Sequence, residues 1–360
     1  MSVYLEASDE LFEAIKDGIA ETNTTAMIKD NDGGSLMLQG TYGWQGELTF
    51  ANEKMYMTNL GTSVTLNLTA APAEPAAHPI TIGTGWNWVG FISSEPMTVE
   101  EAMAGITPNN GDLVKGQVDA WTFSNGSWVG EGGLQPGKGY MYYNKGADMT
   151  LVYPATAKGV VRSLPVEKYW STNVHEHATN LVVMATLDES QFAMAEGNYE
   201  IGAFVNGECR GSARLQKTSY GYVAFVVVHG EYDETISFKL YDVTNAMVVG
   251  SSEEQLRYVS NAIVGSVEEP MVLHFRGITD VNEEGNSLSM FPNPTKDNVK
   301  IQGQAIETVS VYNALGQCLI NETYGNATDL ELNLSGLSAG VYTVAIRANG
   351  TVITKLVVKE

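Results

Sequence analysis

Apolar positions change their period within the first module of this chain. Leu11, Ala14, Ile15 and Ile19 recur at three- and four-residue steps and share one helical face, with Ser8 placed as its N-cap. From Thr25 onward, short runs of aromatic and β-branched residues stand between Gly and Asn turns, which predicts strands. The same succession returns later: Thr98-Val99-Glu100-Glu101 reads as a capping box before Ala102-Met103-Ala104, and strands follow. A third stretch, residues 169–275, alternates strands and turns. Its strands are Asn180-Leu181-Val182-Val183-Met184-Ala185, Tyr199-Glu200-Ile201-Gly202-Ala203-Phe204-Val205, Val223-Ala224-Phe225-Val226-Val227-Val228 and Ile236-Ser237-Phe238-Lys239-Leu240-Tyr241, with Asn206-Gly207 as a hairpin turn. That spacing suits an antiparallel sandwich.

The first two modules are related. Thr25-Ala26-Met27-Ile28-Lys29 matches Gly111-Asp112-Leu113-Val114-Lys115, and Gly43-Trp44-Gln45-Gly46-Glu47 matches Ser127-Trp128-Val129-Gly130-Glu131. Met55-Tyr56 then matches Met141-Tyr142, and Thr65-Leu66 matches Thr150-Leu151, all at offsets between 84 and 86. The second copy has an opening strand, Gly85-Trp86-Asn87-Trp88-Val89-Gly90-Phe91, where the first has only Ser2-Val3-Tyr4-Leu5. The chain is therefore expected to begin inside a module.

Composition adds boundaries. Six domains and connectors are expected: a partial β-rich repeat at 1–70, a Pro/Ala linker at 71–79 that is structurally idle, and a complete repeat at 80–165. A β-sandwich at 166–276, a polar tether at 277–289 and an end unit at 290–360 complete the order. The class is mostly β and multidomain. With 20 Lys plus Arg against 42 Asp plus Glu, the net charge of −22 repels phosphate backbones and anionic lipid. Nucleic-acid and membrane-surface binding are thereby disfavoured, and no apolar run nears the ~20 residues of a membrane-spanning helix. Cys209 and Cys318 build neither a disulfide framework nor a thiolate metal site. The N-terminus carries no signal-peptide pattern.

The end unit holds the most specific pattern. It opens with Met290-Phe291-Pro292-Asn293-Pro294-Thr295, two prolines stiffening an extended start. Thr308-Val309-Ser310-Val311-Tyr312-Asn313-Ala314-Leu315-Gly316-Gln317 follows, then Leu334-Ser335-Gly336-Leu337-Ser338-Ala339-Gly340-Val341-Tyr342-Thr343-Val344, and finally Thr354-Lys355-Leu356-Val357-Val358-Lys359-Glu360. These alternations predict a small sandwich, with Gly340 supplying a turn that a Cβ would hinder. The segment resembles the type A C-terminal sorting domain of cargo for the type IX secretion system of Gram-negative bacteria. The resemblance implies an Ig-like sandwich and Pro292, Asn293, Pro294, Tyr312, Asn313, Gly316, Leu337, Gly340, Tyr342 and Lys355 as motif residues. It also implies the secretion machinery and its surface sorting protease as partners, and a cell-surface or released product. Such cargo needs an export signal, expected upstream of Met1. The Gly85–Phe91 and Leu134-Gln135-Pro136-Gly137-Lys138-Gly139-Tyr140 stretches look like a repeat of large surface proteins of that class, and residues 200–211 resemble a β module that accompanies it.

Catalytic patterns are weak. His175-Glu176-His177-Ala178-Thr179 lacks the second His of a zinc-protease helix. On a strand, His175 and His177 share a face, yet no third metal ligand is evident and both read as surface residues. There is no Gly-x-Ser-x-Gly elbow and no phosphate-binding Gly-Lys-Thr loop. Acidic pairs such as Asp188-Glu189 and Glu268-Glu269 follow from the composition. Asp30-Asn31-Asp32-Gly33-Gly34 is oxygen-rich, as a calcium loop must be, but lacks the later bidentate Glu and reads as a solvated hairpin. Trp86, Trp88, Trp121, Trp128 and Tyr142 suit sugar stacking or, more simply, core packing. Cys209 reads as a small buried hydrophobe rather than a reactive thiol. The expectation is a non-enzymatic, structural or adhesive surface protein with no cofactor and no metal. Its alternatives are the accessory tail of a secreted hydrolase or peptidase and a glycan-binding module.

Overall fold

Helix α1 (Asp9–Ala20) buries Leu11, Ile15 and Ile19 as their spacing requires, and the Ser8 hydroxyl accepts the Leu11 N–H at its start. Ala14 is exposed instead; Phe12 takes the flank and stacks on Phe50 at 4.5 Å. The structure, a computed structural model, describes residues 1–155, 168–275, 288–313, 317–348 and 351–360. The chain divides into two compact units, Met1–Gly277 and Ile278–Glu360.

In the first copy α1 is followed by β1 (Thr25–Lys29), β2 (Ser35–Gln39), β3 (Trp44–Glu47) and β4 (Met57–Leu60), ordered β3-β2-β1-β4. The second copy has β5 (Ile80–Ile82), β6 (Gly85–Gly90), α2 (Val99–Ala102), β7 (Leu113–Lys115), β8 (Ala120–Ser124), β9 (Ser127–Val129), β10 (Gly139–Asn144) and β11 (Met149–Leu151). The capping box forms: Thr98 accepts the Glu101 N–H while Glu101 reaches back to the Thr98 N–H. The second sheet runs β6-β10-β7-β8-β9. Read in reverse, that is the first copy's order with β6 added, so both copies have one topology.

Register tests the repeat residue by residue. Lys29 faces Met57 as Lys115 faces Met141, and Leu38 faces Trp44 as Phe123 faces Trp128. The match of Met55-Tyr56 to Met141-Tyr142 is corrected: Met57 answers to Met141 and Tyr56 to Tyr140. Each of those tyrosine hydroxyls accepts a backbone N–H from five residues earlier, Ala51 and Gln135, at 2.7 Å. A slip of two keeps every side chain on its face, so alternation alone does not detect it. Met1 exchanges both backbone hydrogen bonds with Tyr56, the place Val89 holds opposite Tyr140.

The Pro/Ala stretch is not idle. Ala73 N–H donates to Tyr4, Glu6 N–H donates to Ala71, Leu5 bridges Pro72, and Ala73 and Pro75 are buried. Its backbone groups are satisfied by residues 4–6, which gives it a fixed place in the first unit.

The third module contains β12 (Thr179–Leu187), β13 (Tyr199–Val205), β14 (Glu208–Arg214), β15 (Gln216–Thr218), β16 (Gly221–Gly230), β17 (Thr235–Asp242), β18 (Met247–Arg257), β19 (Ile263–Val264) and β20 (Met271–Leu273). Sheet β15-β16-β12-β19 packs on sheet β14-β13-β17-β18 around Leu181, Val183, Ile201, Ala203, Val226 and Phe238. The sandwich is not wholly antiparallel: β19 and β20 run parallel to β12, because the chain crosses to the other sheet through β18 before returning. Asn206 and Gly207 both have positive φ, as their hairpin demands. At Gly211 the sheets come so close that a Cβ would lie 2.0 Å from the Val227 carbonyl oxygen.

The valine run is buried on both faces, for a reason outside its own sandwich. Ala224, Val226 and Val228 face the sandwich core, while Val223, Phe225 and Val227 join Val182 and Met184 against Leu113 and Ala120 of the second repeat. Lys115 is buried in that junction. Its ammonium donates to Asn180 O at 3.0 Å, Asn180 Oδ1 at 2.7 Å and Asn261 Oδ1 at 2.9 Å, with the Trp86 ring centroid 4.7 Å away.

The second unit comprises β21 (Ser289–Phe291), β22 (Asn298–Tyr312), β23 (Cys318–Asn333), β24 (Gly340–Ala348) and β25 (Thr351–Lys359), paired in the order β21-β22-β24-β25 with β23 also on β22. Register breaks around Ala305, at φ +50°, bend β22. The tether is shorter at its end than expected: Leu288 is buried in this core and Ser289 already pairs with Gln302.

Candidate functional site

Two prolines in a stretch lying beside an edge strand leave it short of backbone donors. In the second unit the side chain of Asn293 fills that gap. Its Nδ2 donates to Leu356 O and its Oδ1 accepts the Val358 N–H, both at 2.8 Å. One amide thus mimics the donor and acceptor of a strand residue. Beyond Pro294 the backbone takes over: Thr295 N–H donates to Val358 O and Glu360 N–H donates to Thr295 O, both at 2.8 Å, in a parallel bridge between Thr295 and Lys359. The Thr295 hydroxyl donates to Asn298 O at 2.6 Å and turns the chain into β22. The outer edge of β25 from Leu356 onward is therefore covered rather than open.

The other motif residues serve the same unit at separate places. Tyr312 ends β22, and Asn313 closes the hairpin: its N–H donates to Gln317 O at 3.1 Å and its Oδ1 accepts the Gln317 N–H at 3.0 Å. Gly316 lies outside the described residues. Leu337 packs on the core, and buried Tyr342 donates its hydroxyl to Ser338 O at 2.8 Å. Lys355 is half-buried opposite Val344. Gly340 does not supply the turn expected of it: its φ is not positive and a Cβ would meet only the Tyr342 ring, at 3.8 Å. Thr295 and Lys359, absent from the motif reading, are buried at the clamp at 3% and 9% exposure. Polar residues in strands read as solvent-facing, so only the pairing partner reveals them.

Residues 289–360 match the model of the secretion system C-terminal sorting domain family. This segment is a type IX sorting domain. The chain that carries it is accordingly a secreted or cell-surface protein, and among the described residues no helix is long and apolar enough to cross a membrane. No curated protein matches the chain. Among solved structures, a Bacillus anthracis TIE protein is similar at 10% identity and a TM-score of 0.18, over 93% of this chain and 57% of that one. A biofilm associated protein BSP domain aligns at 11% identity and TM-score 0.17, over 98% and 70%. An amphioxus IgVJ-C2 molecule aligns at 8% identity and TM-score 0.14, over 52% and 99%.

Upstream of the sorting domain, the sequence candidates separate. Trp121 and Tyr142 are core residues, the Tyr142 hydroxyl donating to Asp112 Oδ2 at 2.9 Å. Trp86 belongs to the Lys115 junction and donates to Asn261 O. Trp88 and Trp128 remain half-buried at grooves; that at Trp128, about 570 Å³, is also lined by Asn125, Glu196, Gln216, Lys217 and Thr218. In the Asp30 loop, Asp30 Oδ1 accepts the N–H groups of Asp32 and Gly34, while Lys54 Nζ sits 2.9 Å from Asp30 and 2.7 Å from Asp32. Burial raises the Asp30 pKa, but Lys54 and those N–H groups more than offset it and hold the carboxyl below its usual range. A lysine occupies the position a calcium ion would need.

Three nucleophile and metal candidates remain. Burial pushes the Cys209 thiol up, which keeps it protonated. Glu268 accepts from the Ser124 hydroxyl at 2.8 Å, a structural role. Both histidines are expected at the surface; His175 is exposed, while His177 is half-buried, and both stand on a loop before β12 rather than on a strand that would give them one face.

Proposed function

We propose that the chain is a non-catalytic, surface-attached type IX cargo protein whose upstream modules are structural or adhesive. The observation that carries this reading is the sorting-domain match falling on a separately compact unit. Support for a structural role upstream comes from the aromatic side chains, most of which are consumed by packing and module junctions. The secretion machinery and the sorting protease are the partners. The surface offered to them is the outer face of β24 and β25, where Val341 lies opposite Val358, next to Leu356, at 55%, 37% and 61% exposure. An exposed apolar stripe of this kind marks an interaction site.

Fusing residues 278–360 behind an export signal and a fluorescent reporter tests this in a host with a working type IX system. Surface delivery is expected, and removal of residues 354–360 should leave the reporter in the periplasm. Equal delivery with and without them would sink the assignment. A glycan-binding role is the second reading, favoured by the polar groove at Trp128. Glycan-array binding by the full chain that is lost in Trp128→Ala would replace the first reading of the upstream modules.

A further inference from the structure

The loop before β12 gathers three groups for which secretion has no use. Asn173 shapes it: its Nδ2 donates to Glu176 Oε1 at 2.6 Å and its Oδ1 accepts the His175 N–H at 3.2 Å. His175 is left in solvent, while the His177 side chain is turned inward and is only 10% exposed. Neither ring nitrogen of His177 has a hydrogen-bond partner among the described residues. The Asn206-Gly207 hairpin then brings Glu208, first residue of β14, alongside. One ligand atom each from Glu176, His177 and Glu208 lie within 4.8 Å of one another, and Glu231 Oε1 stands 3.7 Å from His177 Nδ1.

We propose that Glu176, His177 and Glu208 bind one divalent transition-metal ion of the zinc class. Buried imidazoles without partners are costly, and an ion shared with two carboxylates satisfies one. An imidazole nitrogen with carboxylate oxygens suits zinc and its neighbours, whereas calcium and magnesium take oxygen donors. Zinc bonds of about 2.0–2.2 Å bring ligand atoms to roughly 3.4 Å from each other, so donors that lie within 4.8 Å close by at most about 1.4 Å. Glu176 and Glu208 are exposed, on a loop and at a turn, and rotamer changes accomplish this. Arg210 Nε holds Glu208 Oε2 at 3.1 Å and orients that carboxylate, while its own charge is shared with Glu234 at 3.3 Å. Three protein ligands leave a fourth position to water, and Glu231 acts as the outer partner of the imidazole. The ion ties the loop before β12 to the β13–β14 hairpin.

Zinc titration of the EDTA-treated full chain, followed by calorimetry and by competition with a chromogenic chelator, tests the site. One saturable ion per chain is expected, with a melting temperature that rises with zinc concentration. His177→Gln should abolish this binding, Glu208→Gln should weaken it, and Glu231→Gln should weaken it by roughly tenfold. His175→Ala and His274→Ala should leave it intact. Absence of saturable binding in the parent chain overturns the proposal, as does binding that survives in folded His177→Gln. If that variant does not fold, unchanged affinity in Glu208→Gln, at an exposed turn, overturns it equally.

Discussion

Replacing Lys115 by Met should flatten the pH dependence of stability of the Met1–Gly277 unit. Burial pushes the Lys115 ammonium down to about 7, against 10.5 for a free side chain. An unfolded chain therefore keeps this proton through a window in which the folded chain releases it. Between those limits the unfolded state binds more protons, and stability rises with pH; below about pH 7 both states are protonated and the full burial cost is present. The slope for one group is about 1.4 kcal/mol per pH unit, or about 5 kcal/mol across the window. That is a ceiling, because the three oxygen acceptors and the Trp86 ring favour the charged form. Denaturant unfolding from pH 6 to pH 10 reads this directly. All six tryptophans lie before residue 171, so their fluorescence reports on the first unit alone. Stability of the parent should climb across the range, while Lys115→Met, whatever its absolute stability, should climb less. Parallel pH curves for the two proteins would refute the reasoning.

Three further outcomes follow from the contacts. Asn293→Ala removes both side-chain bonds to β25 and should cost the sorting domain about 1–2 kcal/mol, seen as faster hydrogen exchange at the Val358 amide. Gly340→Ala should change the thermal stability of the sorting domain by less than about 0.5 kcal/mol, whereas Gly211→Ala should destabilise the sandwich by roughly 2 kcal/mol or more, measured by calorimetry. Lys54→Met should leave Asp30 without its cation. The Asp30 pKa is depressed in the fold, so its contribution is present above the unfolded value near 4 and fades as pH falls through the lower folded value. Denaturant melts should therefore show the variant clearly weaker at pH 7 and little different from the parent under strongly acidic conditions.

Strands with a buried face were legible in the sequence. β13, β16 and β17 fall where their apolar runs stand, since burial selects those residues. β18 and β23 were not legible. Cys318–Asn333 exposes most of its side chains and Met247–Arg257 buries none of them fully, and a strand with so little buried surface leaves little trace in composition. The sorting site shows the same division. Pro292 and Pro294 announce a stiff segment, but nothing local says that Asn293 bonds to a strand 63 residues away. The cluster at His177 was half visible: the histidine stands out, while Glu208 reaches it only through the fold of the β13–β14 hairpin.

The clamp at Thr295 also sets how the sorting domain bears load. Thr295 and Lys359 lie side by side in parallel, one near the start of the unit and the other near its end. Traction applied between residues 292 and 360 drags these segments past each other along their own axes. Both backbone bonds of Thr295 and both side-chain bonds of Asn293 then carry the strain together, in shear, instead of opening one after another like a zipper. The β22–β24 pairing behind them is shielded until that patch gives way. Tension between the two segments is met where Asn293 and Thr295 bond to β25.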